Sequence, residues 1–360
     1  MKLFSPLLTV VALTPLVQAQ VQLSEVRAAS APEYVELQGT PGQSLNGIWY
    51  LNIGFGAGSG TVRSAVDLTG AQIGPNGYLS IGRSDYIYGD LGFEVLGSNF
   101  LDIHDNITLT HVLVSNFTGT LGSNLDPDNN GILENPPWTA LIDSVAVLSD
   151  STISSWPYSP TQVPAVAGAE AHLVYRCGST WQAGPNNPLA GLGTPGYPNP
   201  CAGVQSISFC DPAFNNSTGQ PASMVGTPSG AAGSGLHLEV TQGPPGEFGY
   251  FLVSDSYWYG AGVNLGDGKL CIGLSNSCHL GRYNVVGQWN SLGQFNSGGV
   301  FANLGGTSSA GTGFDVPAQL PFGTGSSIGA GQGYQFQFWY RDTPSGVGHS
   351  NLSNGMTWFF

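Results

Sequence analysis

The chain has 360 residues, a formal net charge of −14 and only 8% charged residues, against 54 glycines and 24 prolines. Such a composition forms helices poorly and strands and turns readily, and aromatic residues at 11% give it enough apolar area to argue against disorder. Lys is almost absent and the Arg residues are scattered (Arg27, Arg63, Arg83, Arg176, Arg282 and Arg341), which disfavours the clustered basic surface that nucleic-acid binding needs.

The N-terminus, MKLFSPLLTVVALTPLVQAQ, has one cation at Lys2, an apolar run from Leu7 to Val17 and a small-residue cleavage signal at Val17-Gln18-Ala19. It reads as a secretory signal peptide over residues 1–19, cleaved near Ala19, and is too short and Pro-interrupted to be a transmembrane segment. No other stretch approaches the apolar length of a membrane helix, so the expected product is secreted and extracellular.

LSEVRAASAPEYVELQG, residues 23–39, follows as two short strands broken at Pro32. Val35 and Leu37 face one way and Tyr34 and Glu36 the other, the period of two that marks a half-buried strand. An apolar strand is predicted from Ile48 to Ile53, then two strands around the Pro75-Asn76-Gly77 turn. ITLTHVLVSNFTG, residues 107–119, alternates cleanly, and LIDSVAVLSD supplies a further buried strand. AHLVYRCGSTW leads into a Pro-rich stop that ends in TPGYPNP, residues 194–200.

The opening at 23–39 and the ending at 194–200 resemble the lamin-tail domain, an immunoglobulin-like β-sandwich found in nuclear lamins and in many secreted bacterial proteins. In that family an Arg-bearing strand and a Trp precede the closing T-P-G-x-P-N turn, and Arg176, Trp181 and Asn199 fit the pattern. The resemblance covers roughly residues 21–200 and implies that fold for about half the chain.

Beyond Phe209 the composition shifts further toward Gly and Ser. FCDPAFNNSTGQPASM, Leu270-Cys271, Gly281-Arg282-Tyr283 and the strand QFQFWYRD (335–342) resemble an uncharacterised Gly-rich β-sandwich module of secreted bacterial proteins, a likeness that implies no chemistry. The chain ends on another strand, GMTWFF. The expected architecture is therefore all-β, with two consecutive immunoglobulin-like or jelly-roll-like sandwiches. After the signal at 1–19 come a lamin-tail-like domain at 20–200, a linker at 201–208 and a Gly-rich sandwich at 209–360.

Five cysteines in an exported chain point to disulfides. The preferred pairing is Cys177 with Cys201 and Cys210 with Cys271, which leaves Cys278 over. A Cys271–Cys278 bridge competes, and the spacing does not decide between them.

The sharpest chemical motif is DPDNNGILE, residues 126–134. Asp126, Asp128, Asn130 and Glu134 occupy positions 1, 3, 5 and 9, Gly131 position 6, and the Ile132 carbonyl position 7, a spacing of oxygen ligands that suits calcium. Pro137 stands where an EF-hand needs its last Glu, so the loop is nearer the short calcium loops of extracellular proteins; an Asn-rich turn is the alternative. Calcium is the one cofactor suggested.

Catalytic signals are weaker. Gly325-Ser326-Ser327-Ile328-Gly329 matches a nucleophile-elbow string, yet only Gly-rich loop surrounds Ser327. The carboxylate pairs Glu33/Glu36 and Asp102/Asp105 read as solvated edges rather than a glycosidase pair, and His104 and His111 as surface or hydrogen-bonded residues. SDSYWYG, residues 254–260, together with Trp289, Trp339 and Trp358, offers either a small sandwich core or a sugar-stacking face through Tyr257, Trp258 and Tyr259.

These features point to a non-catalytic extracellular binding or cell-surface attachment protein, whose partners would be extracellular polysaccharide or cell-surface components. A secreted hydrolase with an unrecognised site and an accessory carbohydrate-binding module are the alternatives.

Overall fold

The structure is a computed structural model that describes the chain outside residues 1–19, 29–32, 56–57, 83–92, 96–106, 150–155, 167–170, 185–192, 200, 202–204, 230–234, 256–261, 274–277, 286–289, 324–325, 330–331 and 344–345. The signal peptide, Arg83, Asp102, His104, Asp105, Trp289 and the candidate sugar-stacking residues Tyr257, Trp258 and Tyr259 thus lie outside the described residues. The described residues are all-β, with no α-helix, as the composition requires.

The N-terminal strands are β1 (Gln22–Arg27), β2 (Tyr34–Gln38), β3 (Ile48–Gly54), β4 (Thr61–Asp67), β5 (Tyr78–Gly82), β6 (Phe93–Val95), β7 (Leu109–Ser115), β8 (Ala140–Val147), β9 (Gln162–Val163), β10 (Leu173–Cys177) and β11 (Thr180–Ala183). They form one sheet in the order β11-β10-β1-β2-β5-β6 and a second in the order β4-β3-β7-β8-β9. The β5–β6 and β8–β9 pairs are parallel and the other described pairs of these two sheets antiparallel. Leu23, Val26, Val35, Leu37, Leu79, Ile81 and Val174 of the first sheet share one core with Tyr50, Val66, Leu109, Leu113, Val145 and Val147 of the second. Two sheets meeting face to face on such alternating residues make a sandwich.

β1 carries the feature that positions everything else. Leu23 pairs with Leu37 and Val26 with Val35, but between them the register shifts so that Glu25 stands opposite Glu36. The extra residue is a β-bulge; it keeps Leu23 and Val26 on the inner face although they are three positions apart. Glu25 and Arg27 then share the outer face with Glu36 and Tyr34. The second sheet is covered on its outer face as well, where Leu51, Ile53, Val62, Val112 and Val114 pack under Phe117, Leu125, Trp138 and Tyr158.

The C-terminal strands are β12 (Ser206–Phe209), β13 (Ser223–Ser229), β14 (Gly235–Thr241), β15 (Phe248–Ser254), β16 (Val263–Leu265), β17 (Gly268–Leu270), β18 (Leu280–Arg282), β19 (Gly293–Phe295), β20 (Phe301–Asn303), β21 (Phe314–Asp315), β22 (Gly333–Asp342) and β23 (His349–Phe359). The main sheet runs β12-β23-β22-β15-β19-β20, with β18 also on β15, and faces the smaller β13-β14-β21 sheet; β16 and β17 form a hairpin. Phe251 sits among Phe338, Phe301 and Phe314 at centroid distances of 4.8, 5.7 and 5.7 Å, so rings rather than aliphatic chains fill this core. Trp358 is buried in it, and Trp339 is half-buried on the opposite face beside Tyr250. At Gly249 a Cβ would fall 2.4 Å from the Trp339 carbonyl oxygen and 2.6 Å from the Phe338 ring, a close approach that only glycine permits.

The cysteines pair as preferred, Cys177 with Cys201 (S–S 2.11 Å) and Cys210 with Cys271 (2.02 Å). Cys278 takes part in neither bond. No helix among the described residues is long and apolar enough to cross a membrane.

Candidate functional site

The outer face created by the bulge is not open to water. Residues 193–199 lie across it, and Glu25 and Glu36 are both fully buried. Glu25 accepts hydrogen bonds from the Tyr34 hydroxyl, from the Thr194 backbone N–H at 3.1 Å and from Thr194 Oγ1 at 2.8 Å. Glu36 accepts from the Gly196 backbone N–H and from Ser80 Oγ. Asn199 Nδ2 donates to the Ser24 carbonyl, to Ser24 Oγ and to the Arg176 carbonyl, each at 3.0 Å. A Cβ on Gly193 would fall 2.6 Å from the Tyr34 hydroxyl, so the turn can lie this close only because that residue is glycine.

Burial pushes the Glu25 carboxyl up to about 7, against the hydrogen bonds from Tyr34 and Thr194 and the Arg27 charge. Burial, and then the neighbouring Glu25 charge, push Glu36 well above the usual carboxylate range. Two carboxylates this close and this dry do not both ionise at neutral pH, so the pair retains a proton. Sealed from solvent, it acts as a latch holding the closing turn to the first sheet. The expected solvated edge at Glu33 and Glu36 is corrected: both are buried, and the partner of Glu36 is Glu25 across the strands. Sequence spacing could not reveal that partner, because the bulge sets which residues meet.

Arg176 and Trp181 belong to the same junction. The Arg176 guanidinium donates to Asp143 of β8 at 2.5 Å and to the Leu23 carbonyl at 2.8 Å, and lies 5.0 Å from the centre of the Trp181 ring. Leu23 N–H also reaches Asp143 at 2.8 Å. The residues singled out at the two ends of the N-terminal half therefore converge around Leu23 and Ser24, beside the Cys177–Cys201 bond.

The loop at 126–134 closes on itself. Asp126 is fully buried; its carboxylate accepts from the N–H groups of Asn130 and Gly131, both at 2.9 Å, and from the Tyr158 hydroxyl at 2.7 Å. Burial works against the Asp126 charge, but the Tyr158 and backbone hydrogen bonds prevail and hold the carboxyl below its ordinary value. Asp128 accepts from the Asn130 side chain at 2.9 Å, and Asn130 Oδ1 from the Ile132 N–H at 2.8 Å. Gly131 takes a positive φ of 85° beneath the Trp156 ring. Desolvation, then the charges of Asp128 and Asp126, raise the Glu134 carboxyl. Among the described residues no three acidic, His or Cys side chains converge in a metal-holding arrangement. The loop's carboxylate and amide oxygens cap its own backbone N–H groups, as in an Asx-rich turn.

Ser327 forms an isolated bridge with Gln319, and among the described residues no strand and helix flank it as a nucleophile elbow needs.

An open cleft of about 560 Å³ lies where the closing turn meets the C-terminal strands, lined by Tyr197, Pro198, Ser206, Ile207, Pro228 and Trp358 among others. Among the described residues β12 is the edge of its sheet and pairs with β23 alone. Because Phe359 N–H donates to the Gln205 carbonyl at 3.0 Å, the antiparallel alternation turns the backbone groups of Ser206 and Ser208 away from β23, toward the free edge. Nothing in the sequence marks this cleft: its walls come from segments far apart in the chain, and its lining residues are ordinary.

Compared with models of known protein families, with curated proteins and with solved structures, the chain matches none.

Proposed function

We propose that the chain is an exported, non-catalytic binding or cell-surface attachment protein, with a lamin-tail-like sandwich followed by a Gly-rich sandwich, and that the cleft beside β12 is its ligand-contact face. The observation that carries this reading is the cleft itself, where ring and prolyl surfaces of Tyr197, Pro198 and Pro228 stand beside the free backbone edge of Ser206 and Ser208. Such a surface suits a polysaccharide, whose sugar faces stack on apolar walls while its hydroxyls meet backbone donors and acceptors. Two disulfides, and no long apolar helix among the described residues, support an extracellular setting with residues 1–19 as the export signal. The packing of Arg176, Trp181 and Asn199 around Ser24 supports the lamin-tail-like reading of residues 20–200.

The test is retention of the mature protein on insoluble peptidoglycan, chitin and cellulose, run beside a panel of esterase, glycosidase and nuclease substrates. Retention without turnover is the expected result. Turnover on any substrate would replace this reading with the hydrolase alternative.

A further inference from the structure

The N-terminal sandwich carries a row of fully buried polar side chains between its sheets. Ser64 on β4 stands directly opposite Asn52 on β3, and Asn52 directly opposite His111 on β7. All three are fully buried. They point between the two sheets: Tyr50, Val66 and Leu113, each two residues along the same strand, belong to the inter-sheet core, whereas Leu51 and Val112 belong to the outer one.

Four atoms of this row make no hydrogen bond to any protein group: Asn52 Oδ1, Asn52 Nδ2, Ser64 Oγ and His111 Nε2. His111 is anchored at its other nitrogen, Nδ1, which lies 2.7 Å from the Tyr50 hydroxyl. Buried polar atoms are nearly always satisfied, because each one left bare loses its hydration without compensation. Four orphans in three adjacent residues therefore need a shared partner.

The chemistry of the row defines that partner. Burial pushes the His111 imidazole down to about 3, so the ring is neutral throughout the physiological range. The row itself carries no charge, so an ion enclosed among these three side chains would bear most of its desolvation cost. The amide nitrogen of Asn52 can only donate and its oxygen only accept, while Ser64 Oγ and His111 Nε2 can take either role. The occupant must be neutral, small, and able to donate and accept at once, which describes water.

We propose that the N-terminal sandwich encloses an internal water site in which ordered water joins Asn52 to Ser64 on one side and to His111 on the other. Asn52 is the hub, with one polar atom for each direction.

A crystal structure of the mature protein that resolves ordered solvent tests this directly. The expected result is water bonded to Asn52 and to at least one of Ser64 and His111. Direct bonds among the three side chains, or a dry interior with the four atoms unpaired, would overturn the proposal. Asn52→Leu supplies a second readout in solution. Removing the hub strands the water, Ser64 and His111, so the melting temperature should fall by several degrees. A rise would mean that the leucine has replaced two uncompensated polar atoms in a dry core, and would also overturn the proposal.

Discussion

Replacing Glu36 by Gln removes one member of the buried carboxyl pair while keeping an oxygen that can accept from Gly196 and Ser80. Burial raises Glu25 from 4.5 to about 7 in the folded protein, and Glu36 is raised as well. A raised acid holds its proton in the folded chain after the unfolded chain would have released it. The pair's contribution is therefore fully present below about pH 4.5 and is lost as pH rises through about 7. At about 1.4 kcal/mol per pH unit, that interval amounts to about 3 kcal/mol for Glu25 alone. At roughly 2–4 °C per kcal/mol for a domain of this size, Glu25 alone should lower the wild-type melting temperature by roughly 6–12 °C between pH 5 and pH 8, and Glu36 should add to that drop. Glu36→Gln should melt close to wild type at pH 5, several degrees above it at pH 8, and with a shallower slope between. The assay is thermal unfolding of the mature, oxidised protein followed by near-ultraviolet dichroism. A wild-type melting temperature that holds or rises from pH 5 to pH 8, with the variant running parallel, would refute the shared-proton latch.

Asn199→Ala deletes three hydrogen bonds that hold the closing turn to Ser24 and Arg176, and should cost about 1–3 kcal/mol in denaturant unfolding. Gly193→Ala should lower the melting temperature too, because the added methyl meets the Tyr34 hydroxyl at 2.6 Å. Asp126→Asn weakens the acceptor that organises its loop, so its loss of thermal stability should be the same with calcium and with chelator; a loss seen only with calcium would make the ion the organiser. Reducing Cys177–Cys201 frees a 24-residue separation and should destabilise the N-terminal half by about 3 kcal/mol, measured by calorimetry with and without reductant.

Much of the fold was readable from alternation. Val35 and Leu37, or the run from Leu109 to Val114, declare strands whatever they pair with; of the two cysteine pairings the spacing left open, the structure forms the preferred one. What stayed hidden was the identity of neighbours across strands. Glu36 reads with Glu33 as a solvated edge until the bulge sets Glu25 opposite it and the Thr194 turn covers the pair. His111 and Asn52 read as polar positions on alternating strands, yet both of that sheet's faces are covered, and the alternation cannot say so. The loop at 126–134 shows the reverse: its ligand spacing is plain in the sequence, but the same oxygens serve equally well to cap backbone N–H groups. The cleft beside β12 needed the folded chain, since Tyr197 and Trp358 are far apart in sequence.

Filling the cleft tests the binding reading most directly. Ser206 is exposed on the edge strand, so Ser206→Trp can occupy the space without disturbing a core. Measured on whichever of peptidoglycan, chitin or cellulose retains the wild-type protein, the variant should lose at least about tenfold in affinity at unchanged melting temperature. Equal affinity in the two proteins would place the contact face elsewhere and contradict the account.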